Sequence, residues 1–362
     1  MEASVAPAAG RTASPGGDAG SDLAFCRAIL PRVSRTFALG IRLLPAELSR
    51  PVAVAYLICR IADTAEDHPA LSVDERRALL AEVDRTLGDP AATFTGIRAV
   101  TWPDDHDLGG LMGEADRVLR EFRRLPAGDQ AAVRPWVQEM VRGMASCLRP
   151  PSGGPAPLLE TLADLRRYCW YVAGTVGHLL TALFTRHIRS IGAARLERLE
   201  RLAPQFGLGL QLTNIIRDIA DDHRQGRSFI PVELWRGAGI APEQFGEPEA
   251  ARQAWSIVEP LLAETERCLE DALDYSTALP RHAIRVRVFC LTSLFFACRT
   301  IALIHAQPTR LVGGARIKMP RREVYTILLT TALLAPCNWA LRLYYRRLIG
   351  GPRPGAAALD RP

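Results

Sequence analysis

The amino-acid sequence predicts an all-α protein that folds as a single domain. Apolar residues recur with helical periodicity along most of the chain, whereas the alternation typical of half-buried strands is scarce. Glycine and proline concentrate at the two ends and in a few joints, which leaves long segments without helix breakers. Apolar residues form 48% of the 362 residues, enough for a sizeable core.

The two ends of the chain are predicted to lie outside this domain. Residues 1–21 are rich in small residues, glycine and proline and lack the apolar stretch of a signal peptide, so we expect a disordered N-terminal tail. Residues 349–362, which include "GGPRPG", are expected to form a disordered C-terminal tail. The all-α domain therefore spans residues 22–348.

Proline-containing joints divide the domain into helices. They lie at Pro45 and at residues 88–90, 150–157, 226–231, 246–248 and 277–280. Residues 94–110, with "WPDDHD", are expected to form an irregular loop. We predict helices over residues 22–30, 34–43, 46–67, 73–87, 109–124, 128–147, 158–168, 170–187, 193–223, 231–237, 248–276, 281–304 and 321–348.

The composition argues against several classes of protein. The net charge is +6, but no run of basic residues interleaved with aromatics predicts binding to nucleic acid. The longest apolar runs, 291–297 and 325–335, fall short of the roughly 18 residues that a spanning helix needs. The eight cysteines form no C-x-x-C pair and are typical of buried thiols in a reducing compartment. We therefore expect a cytoplasmic protein that can touch a membrane peripherally.

One acidic pattern occurs twice in the domain. "DTAED" at residues 63–67 and "DIADD" at residues 218–222 each place carboxylates at positions i, i+3 and i+4, which share one face of a helix. A solvated acidic face is one interpretation of such a cluster. The upstream segments "PVAVAYLICRIA" and "FGLGLQLTNIIR" favour another, because they are apolar on most sides and would direct the carboxylates into a cavity.

Carboxylates in such a cavity suit Mg²⁺, which prefers oxygen ligands and is often held jointly by a few carboxylates and substrate phosphates. Arg60 and Arg217 precede the two pentads, and arginine together with carboxylate-bound Mg²⁺ can clamp a diphosphate. Nearly all of the positive charge is arginine, a bias typical either of a GC-rich genome or of phosphate binding. The pentads therefore predict two metal-binding walls that face one anionic substrate.

Four motifs, in order, resemble the squalene/phytoene synthase family of head-to-head prenyl transferases over about residues 22–305. "SRTFALGIRLLP" (34–45) resembles the family's first substrate motif, and "YCWYVAGTVG" (168–177) resembles its tyrosine-bearing motif. "YLICRIADTAED" (56–67) and "QLTNIIRDIADDHRQGRSFIP" (211–231) resemble its two aspartate-rich motifs. The forms "DTAED" and "SRTF" look most like the squalene synthase branch.

The resemblance implies the isoprenoid synthase fold, a helical bundle around a central cavity that opens at the two acidic walls. It implies Mg²⁺-dependent condensation of two farnesyl diphosphates to presqualene diphosphate, followed by NADPH reduction to squalene, with Mn²⁺ as an alternative metal. Isoprenoid diphosphates are thus the expected substrates. A presqualene diphosphate, dehydrosqualene or phytoene synthase without the reductive step is the alternative.

The resemblance also implies roles for single residues. Tyr168 is the candidate for proton transfer, and the catalytic set adds Asp63, Asp67, Asp218 and Asp222. The expected metal ligands are Asp63, Glu66, Asp67, Asn214, Asp218 and Asp222, whereas Asp221 is interpreted as solvated, with a role as a metal ligand as the alternative. The expected substrate contacts are Ser34, Arg35, Arg60, Gln211, Arg217 and Arg227. The expected NADPH contacts are Arg35, Arg60, Lys318 and Arg321, the last two within the basic segment "ARIKMPRRE" (315–323).

Three questions stay open at this level. The small residues of "VAGTVG" allow either close helix packing or room for a prenyl chain. A non-catalytic scaffold on the same fold is a further hypothesis, although such a protein would be expected to lose its acidic residues. An ordinary terpene cyclase would also have two acidic motifs, but its second is usually N-D-x-x-S-x-x-x-E, which "NIIRDIADD" does not fit.

Overall fold

The computed structural model of the protein describes residues 19–102, 106–149, 156–157 and 159–351, without the side chains of residues 19, 35–36, 106 and 156–157. The predicted all-α class is confirmed. The first helices are α1 (Ala19–Val33), α2 (Arg35–Leu43), α3 (Ala46–Glu66), α4 (Val73–Gly88), α5 (Thr95–Ala99), α6 (His106–Gly113), α7 (Ala115–Arg123) and α8 (Ala127–Cys147).

The remaining elements include the longest helix, α11, which packs against α10, α13 and α14. They are the strand β1 (Ala156–Pro157), α9 (Leu162–Cys169), a π-helical segment (Trp170–Gly174), α10 (Thr175–His187), α11 (Ala193–Arg224), the strand β2 (Arg227–Ser228), α12 (Val232–Ala238), two 3₁₀ turns (Pro242–Gln244 and Pro248–Ala250), α13 (Ala251–Ala278), α14 (Ile284–Ala306), α15 (Pro308–Val312), α16 (Arg321–Leu334) and α17 (Asn338–Ile349). The two strands pair in parallel.

Several predicted boundaries were wrong, for local reasons. The predicted loop at 94–110 contains α5 and the start of α6, and the predicted helix 109–124 is divided between α6 and α7 after Gly113. The predicted helix 321–348 is two helices, because Pro336 has no N–H with which to continue the ladder of α16. The first helix, α1, begins at Ala19, three residues before the predicted start of the domain at residue 22. Residues 1–18 and 352–362 lie outside the described residues.

Glycines let α11 pack closely against α10 and against the π-helical segment that precedes α10. A Cβ on Gly177 would lie 2.2 Å from the carbonyl oxygen of Ala203, and one on Gly207 would lie 2.2 Å from that of Ala173. Both separations are far inside van der Waals contact, so neither position accepts a side chain without backbone movement. At Gly177, within "VAGTVG", the absent side chain therefore serves helix packing.

The helix α14 contradicts the expectation drawn from the apolar runs. Among the described residues, it alone is long and apolar enough to cross a membrane, with a mean hydropathy of 1.8 over an 18-residue window. That window is 72% buried within the protein, and α14 packs against α2, α11, α13, α16 and α17. It therefore occupies the position of a core helix. The runs chosen from the sequence missed it because Arg287 and Arg299 interrupt the apolar stretch.

The helices α16 and α17 form a hairpin that docks on α14. Arg287 of α14 is fully buried and donates hydrogen bonds to the carbonyl oxygens of Ala335 (2.7 Å) and Leu279 (2.8 Å). It also donates to the side-chain oxygen of Asn338 at the start of α17. A buried guanidinium with its donors paired in this way holds the hairpin turn against the core.

Candidate active site

The two acidic pentads, which lie far apart in sequence, meet at Arg227. The first ends α3 and the second lies in the last turns of α11. The Arg227 guanidinium donates to the carboxylate of Asp67, and its Nη2 lies 3.7 Å from Oδ1 of Asp222. One cation thus bridges the two walls, which is the juxtaposition that the sequence predicted.

A tight turn directs Arg227 back to the pentads. After α11 ends, Gly226 adopts a φ of 71°, a left-handed conformation that glycine takes without steric cost. Residues Arg227 and Ser228 then pair with Ala156 and Pro157 in the short parallel ladder. The backbone of Arg227 is therefore held on one side by β1 while its side chain reaches the carboxylates.

Part of α3 lines a recess. Tyr56, Arg60 and Asp63 follow one another at intervals of four and three residues, so they share a helix face, and each is partly exposed in the middle of an otherwise buried helix. Asp63 exposes some of its surface, yet desolvation raises its pKa to about 7, with Arg60 lowering it and Asp67 raising it further. A group that is both accessible and strongly desolvated lines a concave site.

Two carboxylates of the first wall and one of the second, Asp63, Glu66 and Asp222, are harder to ionise than usual. Burial raises the pKa of Glu66 well above its ordinary value, and the nearby charges of Asp67 and Asp63 raise it further. Burial also raises the pKa of Asp222 to about 6, against the opposing effect of Arg227. The carboxylates of Asp63 and Glu66 form no hydrogen bond or ion pair with another described residue. The site therefore favours a multivalent cation that would hold these groups ionised.

The donor set fits Mg²⁺ only together with a substrate phosphate. Among the described residues, no three His, Cys, Asp or Glu side chains lie close enough to hold one ion by themselves. Mg²⁺ typically takes one or two carboxylates and completes its shell with waters and phosphate oxygens. The Nε atoms of Arg60 and Arg227 are buried without a hydrogen-bond partner, so unused donors also stand beside the carboxylates. Carboxylates with adjacent unpaired guanidinium donors suit a metal–diphosphate pair.

The second wall extends along α11 from Gln211. Gln211, Asn214, Asp218 and Asp222 share one helix face, and all four are exposed or partly exposed on a helix whose other face is buried. Arg217 donates to Asp218 through Nε at 2.9 Å and through a second nitrogen. Because that guanidinium already pairs with Asp218, it would have to share the carboxylate with a metal or move to a phosphate.

Asp221, for which the sequence favoured a solvated role, forms two ion pairs at a partly exposed position. Its carboxylate accepts hydrogen bonds from Arg224 of the same helix and from Nε of Arg316 at 2.6 Å. The second contact joins α11 to the loop that precedes α16. Asp221 therefore ties the basic segment 315–323 to the second wall.

Tyr168 lies beside the first pentad on α9. This helix begins at a capping box in which the Thr161 hydroxyl accepts from the backbone N–H of Asp164, and the Asp164 carboxylate accepts from the backbone N–H of Thr161. The Tyr168 ring stacks on Phe229 with centroids 5.2 Å apart. Burial raises the pKa of the phenol well above its ordinary value, and the charges of Glu66, Asp67 and Asp63 raise it further. The hydroxyl therefore stays protonated.

The remaining predicted contacts with substrate and NADPH do not all lie at the acidic walls. Burial raises the pKa of the Tyr56 phenol and the nearby Ser34 side chain opposes this, which places the first substrate motif beside the recess. Arg35 begins α2, but its side chain lies outside the described residues. Lys318 and Arg321 are exposed and form no ion pair with the acidic walls, whereas Arg316 does.

Sequence reasoning missed three side chains at this site. Arg76 of α4 donates to the carbonyl oxygen of Glu66 at 3.1 Å, and nothing in its own helix pattern marked it. Phe229 is the stacking partner of Tyr168 and could have been noticed within "GRSFIP". Arg316 lies in the basic segment from which Lys318 and Arg321 were chosen instead.

Comparison with protein families agrees with this geometry. Residues 30–323 match the squalene/phytoene synthase family. The chain is 29% identical over 328 residues to a squalene synthase of Cyberlindnera jadinii, covering 91% of this chain and 71% of that protein. It is 32% identical over 298 residues to a squalene synthase of Eremothecium gossypii, covering 82% of this chain and 66% of that protein. The chain thus spans about two thirds of the length of these relatives.

Solved structures show the same fold. The structure of TcSQS with the ligand E5700 matches with a TM-score of 0.79 and 27% identity, over 94% of each chain. A dehydrosqualene synthase in complex with a ligand matches with a TM-score of 0.61 and 23% identity, over 86% of this chain and 96% of that one. At that identity the second likeness supports the fold alone.

Proposed function

Because this chain belongs to the squalene/phytoene synthase family, which joins isoprenoid diphosphates head to head, we propose that it is a squalene synthase. It would condense two farnesyl diphosphates to presqualene diphosphate and reduce that product to squalene. Relatives named squalene synthase, about 30% identical over most of the chain, support this choice within the family. The metal would be Mg²⁺ and the reductant NADPH.

The observation that carries the proposal is the bridge made by Arg227. A guanidinium held between Asp67 and Asp222 stands where a diphosphate would have to lie if both acidic walls contributed metal ligands. Asp63, Glu66 and Asp67 would hold metal on the α3 side, and Asn214, Asp218 and Asp222 on the α11 side. Bound Mg²⁺ would neutralise the charge that develops on the departing diphosphate.

Three arginines would bind that diphosphate through different donor groups. Arg60 and Arg227 each keep a buried Nε free for a phosphate oxygen. Arg217 would exchange its carboxylate partner for phosphate when substrate enters, and Gln211 would add a neutral donor to the same wall. One guanidinium group can donate hydrogen bonds to two phosphate oxygens at once. This fixes the orientation of the leaving group and neutralises part of its charge.

Tyr168 would act while it remains neutral. Its raised pKa makes a resting phenolate unfavourable, so the phenol cannot wait as a free base. Instead it would pass its proton to a diphosphate oxygen while accepting the proton lost as the cyclopropane closes. Stacking on Phe229 fixes the ring for this transfer. The diphosphate is then the final acceptor of the proton.

The reductive step is assigned to the basic segment. Arg316, Lys318 and Arg321 precede or begin α16, and Arg316 contacts the second wall. NADPH bound there would supply a hydride to the carbocation. Arg35 and Arg60 are further candidates for the phosphates of NADPH, since both follow from the family's motifs.

Product analysis by mass spectrometry tests the proposal. Purified protein with Mg²⁺ and farnesyl diphosphate should yield squalene with NADPH and presqualene diphosphate or dehydrosqualene without it. Formation of phytoene from geranylgeranyl diphosphate, or the same products with and without NADPH, would overturn the squalene assignment and favour the non-reductive alternatives. The variant Arg316→Gln should reduce squalene relative to presqualene diphosphate. Arg310→Gln, which removes an exposed arginine paired only with Gln307, is its control.

A further inference from the structure

An unusual apolar face lies on the α16–α17 hairpin, whose two helices pack against α14. It consists of Tyr325, Leu329 and Leu333 of α16 and of Trp339 and Leu343 of α17, and we call it the hairpin face. These five side chains are 60–71% exposed, whereas the other exposed large hydrophobic residues, among those described, are only 40–47% exposed. Large contiguous apolar surfaces on a folded protein usually mark an interaction site.

The periodicity of both helices produces this face. Tyr325, Leu329 and Leu333 are spaced by four residues, as are Trp339 and Leu343, so each set forms one stripe along its helix. The opposite sides of the two helices are buried, with Ile327 and Thr331 on α16 and Leu341 and Tyr345 on α17. Both helices therefore have a complete inner face against the protein and a second apolar face that points outward.

Cationic side chains border the hairpin face. Arg321 and Arg322 precede Tyr325 by four and three residues, and Arg346 and Arg347 follow Leu343 by three and four residues, so each pair lies one turn from an apolar stripe. All four guanidinium groups are exposed and take part in no hydrogen bond or ion pair with another described residue. The segment 315–351 contains one acidic residue, Glu323, and that carboxylate is paired with Arg299.

The chemistry of this surface is that of a helix lying in a lipid interface. Such helices combine leucine and tryptophan on one side with arginine or lysine beside it, and they bind anionic lipids through both. Tyrosine and tryptophan favour the depth of the headgroups, where Tyr325 and Trp339 would lie. A second copy of the chain fits less well, because a two-fold interface would oppose the same arginines to one another.

We propose that the hairpin face docks the protein on the surface of a membrane rich in anionic lipid. The leucines enter the boundary between headgroups and acyl chains, and Arg322, Arg346 and Arg347 bind phosphate groups around them. The helix α14 stays in the protein core beneath the hairpin, held to it by Arg287. This proposal does not depend on which isoprenoid product the active site makes.

Vesicle binding by the full-length protein tests this docking. We expect binding to vesicles of phosphatidylglycerol and phosphatidylcholine, weaker binding to phosphatidylcholine alone, and weakening by salt because the charges are exposed. The fluorescence of Trp339 should shift to shorter wavelength on binding, and this shift should be lost in Trp339→Phe. Failure of the wild-type protein to bind either vesicle overturns the proposal.

Paired variants separate the apolar and the cationic contributions. Leu329→Ser with Leu333→Ser should lower the partition constant about 100-fold, since each inserted leucine is worth roughly tenfold, while Leu329→Met with Leu333→Met should keep it. Arg346→Gln with Arg347→Gln should lower binding about 30-fold on anionic vesicles only. Arg27→Gln with Arg236→Gln, exposed arginines on α1 and α12, should leave binding unchanged.

Two results would contradict the assignment of this surface. Unchanged vesicle binding by the double serine variant, with helicity and thermal unfolding like wild type, would exclude the hairpin face as the contact. A wild-type dimer that the serine variant converts to a monomer, without loss of lipid binding, would make a second copy the occupant. Sedimentation without lipid, measured in parallel for all variants, distinguishes that case.

Discussion

Replacing Asp63 with Asn should stabilise the metal-free protein while abolishing its activity. The Asp63 carboxyl is desolvated in the recess, which raises its pKa from 3.8 to about 7, and Asn has nearly the same shape without the charge. At about 1.4 kcal/mol per pKa unit, ionising this group above pH 7 costs about 4 kcal/mol if it is fully desolvated. Because the side chain is partly exposed, we expect about half of that, roughly 2 kcal/mol.

The sign of the pH dependence follows from the two pKa values. Between pH 3.8 and about pH 7 the folded protein keeps the Asp63 proton that the unfolded chain has lost. In the wild-type protein the contribution of the Asp63 carboxyl to the free energy of unfolding is therefore complete below pH 3.8, and it declines as pH rises from 3.8 to about 7. The advantage of Asp63→Asn should accordingly be greatest at about pH 8 and fall by more than half at about pH 5.

Thermal unfolding in EDTA at these two pH values measures the effect. A gain of roughly 2 kcal/mol should raise the melting temperature of a chain of this size by a few degrees. Glu197→Gln, an exposed carboxylate in the first turns of α11, should change the melting temperature equally little at both pH values. A gain at pH 5 as large as at pH 8, or none at either, would refute the reasoning about desolvation. Addition of Mg²⁺ with diphosphate should stabilise the wild type and not the variant.

Three further substitutions test the site and its frame. Tyr168→Phe should lower the rate of presqualene diphosphate formation by about 100-fold with little change in KM, as steady-state kinetics would show, and an ordinary rate would remove the proton-transfer role. Arg227→Gln should raise the KM for farnesyl diphosphate about tenfold or more, because the donor between the two walls is lost; an unchanged KM would count against the clamp. Gly207→Ala should reduce the free energy of unfolding by about 3 kcal/mol in denaturant titrations, and a neutral result would disprove the close packing of the π-helical segment on α11.

Local order along the chain was predictable where it depends on neighbours in sequence. The apolar periodicity gave the all-α class, and the spacing of Asp63, Glu66 and Asp67 placed their carboxylates on one helix face before any fold was known. The ends of the helices were predicted less accurately than their existence. The sequence did not predict that α16 ends before Pro336, because a proline within an apolar run can either kink a helix or end it. Only the packing of the two halves decides between these outcomes.

Contacts between distant segments could not be obtained from spacing. Arg227 and Asp67 are 160 residues apart, and their meeting depends on how α3 and α11 pack and on the turn at Gly226. The same packing pairs Asp221 with Arg316, a contact that the spacing along the chain did not indicate.

The amino-acid sequence specifies which functional groups this protein has, whereas its tertiary structure specifies their pKa values and their partners. Carboxylates, guanidinium groups and a tyrosine are properties of the chain, and their intervals fix which of them share a helix face. The direction in which burial moves the pKa of Asp63 or Tyr168 depends on the atoms packed around each group, and those atoms come from other helices. Desolvation and Coulomb interactions act through space, so only the assembled fold specifies them.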